Sequence, residues 1–418
     1  METDEDQGED QERAPKGVGI HARSVRTTAA LLYNQPMSGS SRQPCAGSCA
    51  ALSTVLLVLA LGACESTSSS AGNDTPAPAI DLAAAFGEHL HGFTFGTPQL
   101  KQAGDRLQHA RYADGERVLR IQPGGSFESA AIHWRMPFDE LLLSWNVDTP
   151  AGTSFVVEVA VRDAEGWSPW LHIGDWGELP TDRERVTTFA GGAVEVDVLR
   201  TKRLFSVLRY RISAVGTRGG APIDVHLFAI NVTNTGQLAS LHAGAPSPFA
   251  RGEGLAVPAR SQRLEDPALA SRICSPTSVA MVLAHHGVDL PTARVAELIY
   301  DQQHDIYGNW PRAVQAAFEL GVPGTLVRLS NWRAVEHFLA RGIPLIVSVG
   351  VKDGELRGAP YSETRGHLLV ITGFDDEGGV RVNDPAADTL EGVSRVYARE
   401  DLERVWMRRG GVAYAIGR

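Results

Sequence analysis

Apolar and polar positions change period twice along this chain. In "FVVEVAVR", Phe155, Val157, Val159 and Val161 fall on one face of an extended segment, and "VEVDV" (Val194 to Val198) alternates at every step. "LRYRISAV" and "IDVHLFAINV" continue the two-residue period, with Gly/Pro/Asp clusters between them and no helix-period run. This spacing predicts half-buried antiparallel strands over residues 81–232, arranged as an all-β sandwich or jelly-roll. A Gly/Ala/Pro/Ser-rich linker follows at 233–254.

From residue 255 the period becomes helical. "SPTSVAMVLAHHG" offers Ser275 as an N-cap, Pro276 as the first helical residue, Val279, Val282 and Leu283 at i, i+3 and i+4, and Gly287 as terminator. "LPTARVAELIYD", "NWPRAVQAAFELG" and "SNWRAVEHFLARG" read as three more helices starting near Thr292, at Asn309 or Trp310, and at Ser330 or Asn331. The two-residue period then returns in "IPLIVSVG", "GHLLVITGF", "GVRVNDP", "SRVYA" and "VAYAIG", with a short helix "REDLERVW" before the last. Residues 255–418 are therefore expected to be α+β, a helical half followed by an antiparallel sheet.

The region ahead of these domains reads as a targeting segment. "AALSTVLLVLALGA" (Ala50 to Ala63) is 14 residues long, too short to span a bilayer and suited to a signal-peptide core. It ends in "LGAC", which resembles the lipobox of bacterial lipoproteins. That resemblance implies a signal peptide over 37–63, lipidation of Cys64 and an extracytoplasmic, lipid-anchored location. Residues 1–36 are read as an over-extended start or a disordered tail, since seven of the first 12 residues are acidic, opposite to a signal-peptide n-region. Residues 64–80, rich in Ser, Pro and Gly, are read as a flexible tether.

The chain has four cysteines, Cys45, Cys49, Cys64 and Cys274. With the first two removed and the third acylated, Cys274 has no disulfide partner in an oxidising compartment. It is then either a buried structural thiol or a reactive one. Its place ahead of a helix N-terminus favours the thiolate, and a neighbouring imidazolium would favour it further.

His367 is the best-placed histidine. "TRGHLLVITGF" sets it at the start of an apolar strand behind a glycine. "DDEGG" (Asp375 to Gly379) reads as a hairpin turn that brings "VNDP" back alongside, so that Asp384 or Asn383 can orient the ring. The plainer readings are a strand-edge histidine and an ordinary Asp-Pro turn.

Together, "VPARSQ", "CSPTSVAMVLAHHG", "GHLLVITGFDD", "RVNDPA" and "DLERVWMRRGGVAYAI" resemble the papain-like cysteine peptidases of family thirty-nine, particularly their stand-alone bacterial forms. The resemblance covers residues 255–418. It implies Cys274 as nucleophile, His367 as general base and acid, Asp384 as orienting residue and Gln262 as oxyanion donor. The chain departs from many relatives in having Ser275 where they have glycine.

The expected function is a membrane-anchored cysteine peptidase that hydrolyses peptide or isopeptide bonds through a thioester. The alternatives are a catalytically inactive surface-binding lipoprotein and a thioester-based acyltransferase. No phosphate loop, H-E-x-x-H helix or G-x-S-x-G elbow is present, and neither a cofactor nor a metal is expected. His285 and His286 are read as residues at a helix end, not as metal ligands. The net charge of −10 and the lack of a basic stripe argue against nucleic acid. The expected partners are a peptide or protein substrate outside the cytoplasm and the membrane. Trp167, Trp170 and Trp176 in "EGWSPWLHIGDWG" are a candidate platform for a cell-surface glycan, or else core and cross-strand aromatics.

Overall fold

The computed structural model describes residues 90–94, 104–113, 118–179, 185–240 and 254–417. The expected tail, signal peptide, Cys64 and tether lie outside the described residues, as does most of the expected linker. The described residues fall within one compact unit.

The N-terminal region is all β. Its strands are β1 (Leu90–Thr94), β2 (Gly104–Ala113), β3 (Val118–Ser129), β4 (Ile132–Asp148), β5 (Thr153–Asp163), β6 (Gly166–Trp167), β7 (Leu171–Gly177), β8 (Thr188–Phe189), β9 (Gly192–Glu195), β10 (Val198–Gly216) and β11 (Ile223–Thr233). They run β2-β3-β11-β4-β10-β5-β6, and the long β10 also pairs with β3. Bulges interrupt the β4–β10 ladder, and they let each long strand change neighbours along its length. Phe155, Val157, Val159 and Val161 are all buried, and so are Val156 and Ala160 on the other face, so β5 is covered on both sides. "VEVDV" is not one strand. Val196 takes a φ of 60° and is 38% exposed, and the turn it makes carries Asp197 inward, where its carboxylate accepts the Trp310 N–H at 3.0 Å.

The C-terminal region contains α1 (Cys274–His285), α2 (Thr292–Ile299), α3 (Trp310–Glu319), β12 (Gly324–Arg328), α4 (Trp332–Leu339), β13 (Leu345–Val351), β14 (Thr364–Phe374), β15 (Val380–Asn383), β16 (Ser394–Tyr397), α5 (Arg399–Met407) and β17 (Val412–Ile416). The strands form an antiparallel sheet ordered β12-β17-β13-β14-β15-β16. Asn309 and Asn331 cap α3 and α4 by accepting from Arg312 and Ala334 N–H. The strand β12 gives no alternation in five residues after "GVP" and escapes sequence reading.

That edge strand explains how the two regions join. The β12 backbone atoms that face away from β17 meet side chains of the N-terminal region. Gly324 N–H donates to Asn146 Oδ1 at 3.2 Å, Leu326 N–H to Ser144 Oγ at 3.0 Å, and Asn231 Nδ2 donates to the Leu326 carbonyl at 3.0 Å. An open sheet edge is thereby closed by side chains in place of a strand. In return, the buried Gln315 of α3 takes both backbone groups of Val147, accepting its N–H at 2.9 Å and donating to its carbonyl at 2.7 Å. Gln315→Ala would leave two buried backbone groups unpaired. It is expected to cost about 3 kcal/mol, read as a lowered urea midpoint at unchanged slope.

Candidate active site

The helix α1 begins at Cys274, two residues earlier than the start at Pro276, with Ser275 as cap, expected from sequence. Its N-cap is Ile273, which has no side-chain oxygen to satisfy the first-turn N–H groups. Ser275 is instead fully buried, with its hydroxyl 3.2 Å from Tyr414 Oη. The uncapped first turn leaves donors for an anion at position 274, and the N–H groups of Ser275 and, from β14, Leu368 both favour the Cys274 thiolate.

β14 pairs with β13 on one side, His367 opposite Val349, and with β15 on the other, Val370 opposite Asn383. The hairpin turns at Asp375–Gly379, where Asp375 Oδ1 accepts from Gly379 N–H at 2.7 Å. Asp384 follows β15 directly and thus reaches the His367 side chain. His367 Nε2 lies 2.8 Å from Asp384 Oδ1. A carboxylate can only accept here, so Nε2 carries the proton and Nδ1 is left for the thiol. Cys274 and His367 are close enough for each to shift the other's ionisation. The alternation of β15 turns Asn383 the other way, where it donates to the Val257 carbonyl and accepts from Ser394.

Asp384 is fully buried and accepts from three further donors: Ala386 N–H at 3.0 Å, Tyr397 Oη at 2.7 Å and Tyr361 Oη at 3.2 Å. Burial works against its charge, but His367 and these donors outweigh burial and hold the carboxyl below its ordinary range. Burial likewise opposes an imidazolium at His367, yet the Asp384 charge and the two side-chain hydrogen bonds raise it to about 10. For Cys274, burial would favour the thiol, and the contact with His367 together with the two backbone N–H groups lowers it below the usual thiol value. The three groups thus favour thiolate, imidazolium and carboxylate together.

Residues 254–414 match the Peptidase_C39 like family, and residues 96–229 match the Peptidase C39 N-terminal domain. The C-terminal domain is C39-like. Among solved structures, the chain is similar to a double glycine motif protease from an AMS/PCAT transporter, crystallised with the leader peptide, at 20% identity over 40% of this chain and 96% of that one, with a TM-score of 0.27. A putative C39-like peptidase from Bacillus anthracis matches at 19% identity over 40% and 98%, TM-score 0.31. The peptidase domain of Streptococcus ComA matches at 19% over 35% and 92%, TM-score 0.27. No curated protein matches the chain.

In the C39-like domain Gln262 opens a short 3-10 turn whose backbone N–H donates to the Pro385 carbonyl at 2.8 Å, tying it to the residue after Asp384. Its Nε2 donates to the Ala270 carbonyl at 2.8 Å, which fixes the amide orientation, while Oε1 is buried without a partner. One N–H of that amide remains uncommitted.

Sequence reading missed the two tyrosines on Asp384. Tyr361 lies in a loop and Tyr397 on a four-residue strand, and neither position carries a local signal. Tyr361 also packs edge-on against the His367 ring, with centroids 4.9 Å apart. Tyr397→Phe removes one charge-stabilising donor and is expected to lower kcat/KM about tenfold while the fold is kept, as read by steady-state kinetics and circular dichroism.

A cleft of about 320 Å³ opens beside Cys274, bounded by Arg272, Tyr307, Trp310, Gly366, Leu368 and Arg409 among others. The loop supplying Tyr307 is held by Asp301, whose carboxylate accepts from Asn309 and from the His304 and Gln303 N–H groups. His285 and His286 end α1 against the carbonyls of Ala256, Gly342 and Ile416. Among the described residues no cluster of three or more His, Cys, Asp or Glu is arranged to hold a metal, and no helix is long and apolar enough to cross a membrane. Of the three clustered tryptophans, Trp176 is buried and its Nε1 donates to Glu319 at 2.7 Å. Trp167 and Trp170 have arginines over their rings, Arg209 lying 4.4 and 4.6 Å from the two centroids.

Proposed function

We propose that this protein is a lipid-anchored cysteine peptidase acting outside the cytoplasm on peptide or isopeptide bonds, with Cys274, His367 and Asp384 as its catalytic triad. What supports this reading is the His367–Asp384 hydrogen bond at 2.8 Å, with Asp384 buried and the His367 imidazolium and the Cys274 thiolate each favoured by the other. Thiolate attack on the scissile carbonyl forms a C–S bond and an oxyanion. As the C–N bond breaks, the His367 imidazolium gives its proton to the leaving amine. Water then adds to the thioester with His367 as base, releasing the acid and regenerating the thiolate. The Cys274 N–H and the free Gln262 N–H are the oxyanion donors in this scheme.

Cys64 would hold the enzyme to the membrane through its lipid. The N-terminal β region, a β-sandwich in this reading, would set the catalytic cleft at a fixed attitude to its surroundings and offer a surface to a glycan.

The test is digestion of a diverse peptide mixture, followed by mass spectrometry, with trapping of a Cys274-linked acyl intermediate. New termini that take up one water oxygen support hydrolysis. Ligation to an added amine in preference to water would turn the assignment to acyl transfer. An intact mixture with no acylated Cys274 would leave a surface-binding protein.

A further inference from the structure

The arginine between the Cys274 cleft and the groove beyond it has no ion-pair partner among the described residues. Arg409 follows α5 and borders both the cleft and an adjoining groove of about 480 Å³ bounded by Gly350, Lys352, Glu363, Thr364, Arg365 and Arg408. Its chain crosses the sheet where two glycines make room. A β-carbon on Gly350 would meet Arg409 Cδ at 3.2 Å, and one on Gly366, the residue before His367, would lie 3.8 Å from Nη2. The Trp310 ring flanks the guanidinium at 5.9 Å.

No carboxylate among the described residues pairs directly with this cation. Among the described residues no carboxylate or carbonyl is hydrogen-bonded to Arg409, and its buried Nε has no partner. Two other arginines at the rim are committed, Arg272 to Asp305 and Arg408 to Glu355. Glu140, whose charge acts on Arg409, is already paired with Arg200 and Arg328. Lys352 and Arg365 add positive charge to the groove and Glu363 is its one acidic side chain. A half-buried guanidinium left without an anion costs free energy in the empty protein, and a bidentate carboxylate would offset that cost.

We propose that Arg409 is the specificity residue of this cleft and binds a carboxylate of the peptide substrate close to the scissile bond. The carboxylate belongs either to an Asp or Glu side chain or to the free C-terminus of the peptide. The proposal rests on the peptidase reading of Cys274, and it predicts a substrate class: acidic peptides, or peptides cleaved near their end.

The test measures binding, which needs no turnover, on the full chain carrying Cys274→Ala. A fluorescent peptide cleaved by the wild type is compared with its Glu-to-Gln and C-terminally amidated forms, or an acidic decapeptide set is used if none is cleaved. Loss of about 30-fold in affinity on neutralising one of the two carboxylates, reduced to under threefold when Arg409→Met is added, supports the proposal, and the form that loses affinity identifies the carboxylate. Equal binding of all three peptides, or the same preference retained in Arg409→Met, overturns it. Absent hydrolysis by the wild type with this charge preference intact would refute the peptidase reading and leave the Arg409 site standing.

Discussion

Cys274→Ala is expected to remove peptide hydrolysis by a factor on the order of 10³ to 10⁶, with the thermal midpoint moved by no more than a few degrees. The size of the loss follows from the role: without the thiol no acyl-enzyme forms, and the remaining cleft offers only binding and oxyanion donors. The small effect on stability follows from the position. Cys274 is a half-buried first residue of α1 that packs at the border of the core, and alanine keeps the helix. Rates with the best peptide from the digestion, and a melting curve on the same sample, check both halves. A comparable loss accompanied by unfolding would mean that the residue is structural.

Asp384→Asn is expected to be nearly as damaging, by about 10²- to 10⁴-fold in kcat. The carboxylate accepts from His367, Ala386, Tyr361 and Tyr397. An amide offers one acceptor oxygen in place of two, and its NH₂ would face donors. The pH dependence carries the sign. His367 is raised from 6.5 to about 10, so the alkaline limb of activity, where the imidazolium loses its proton, belongs near pH 10. Without the Asp384 charge, burial pushes the imidazolium down, and the alkaline limb should move to lower pH in the variant. The same shifts bear on stability. The contribution of His367 is fully present below its unfolded value near 6.5 and is lost as pH rises through about 10. That of Asp384, lowered from 3.8, is present above its unfolded value and is lost as pH falls through its folded one. Urea midpoints across pH 3 to 10.5 check this, and an alkaline limb that stays in place in Asp384→Asn would contradict it.

Much of the site was legible because its parts sit at element ends that leave local marks. A cysteine before Pro276 at a helix start, a histidine behind Gly366 at a strand start and an Asp-Pro after a hairpin each have a signature in a few residues. The alternation of β15 decided between Asn383 and Asp384 in principle, yet only the pairing of β14 with β15 fixes which of them faces His367. Ser275 misled because serine is a strong cap by type, whereas burial against Tyr414 claims its hydroxyl. "VEVDV" misled because periodicity cannot show that Asp197 is drawn out of a strand to meet the Trp310 N–H. The tyrosines on Asp384, the side-chain closure of β12 and the isolation of Arg409 depend on residues far apart in sequence, and no local pattern encodes them.

Catalysis by this scheme requires Cys274 to be held as a thiolate by His367. Iodoacetamide alkylation across pH 4 to 10, followed by mass spectrometry of the peptide containing Cys274, tests it in the full-length chain and in His367→Ala. The wild-type thiol is expected to react well below pH 8.5, the ordinary thiol value of about 8.5 returning or being exceeded in His367→Ala. A thiol that is silent throughout, or that titrates alike near or above about 8.5 in both proteins, would mean that His367 does not hold Cys274 as a thiolate.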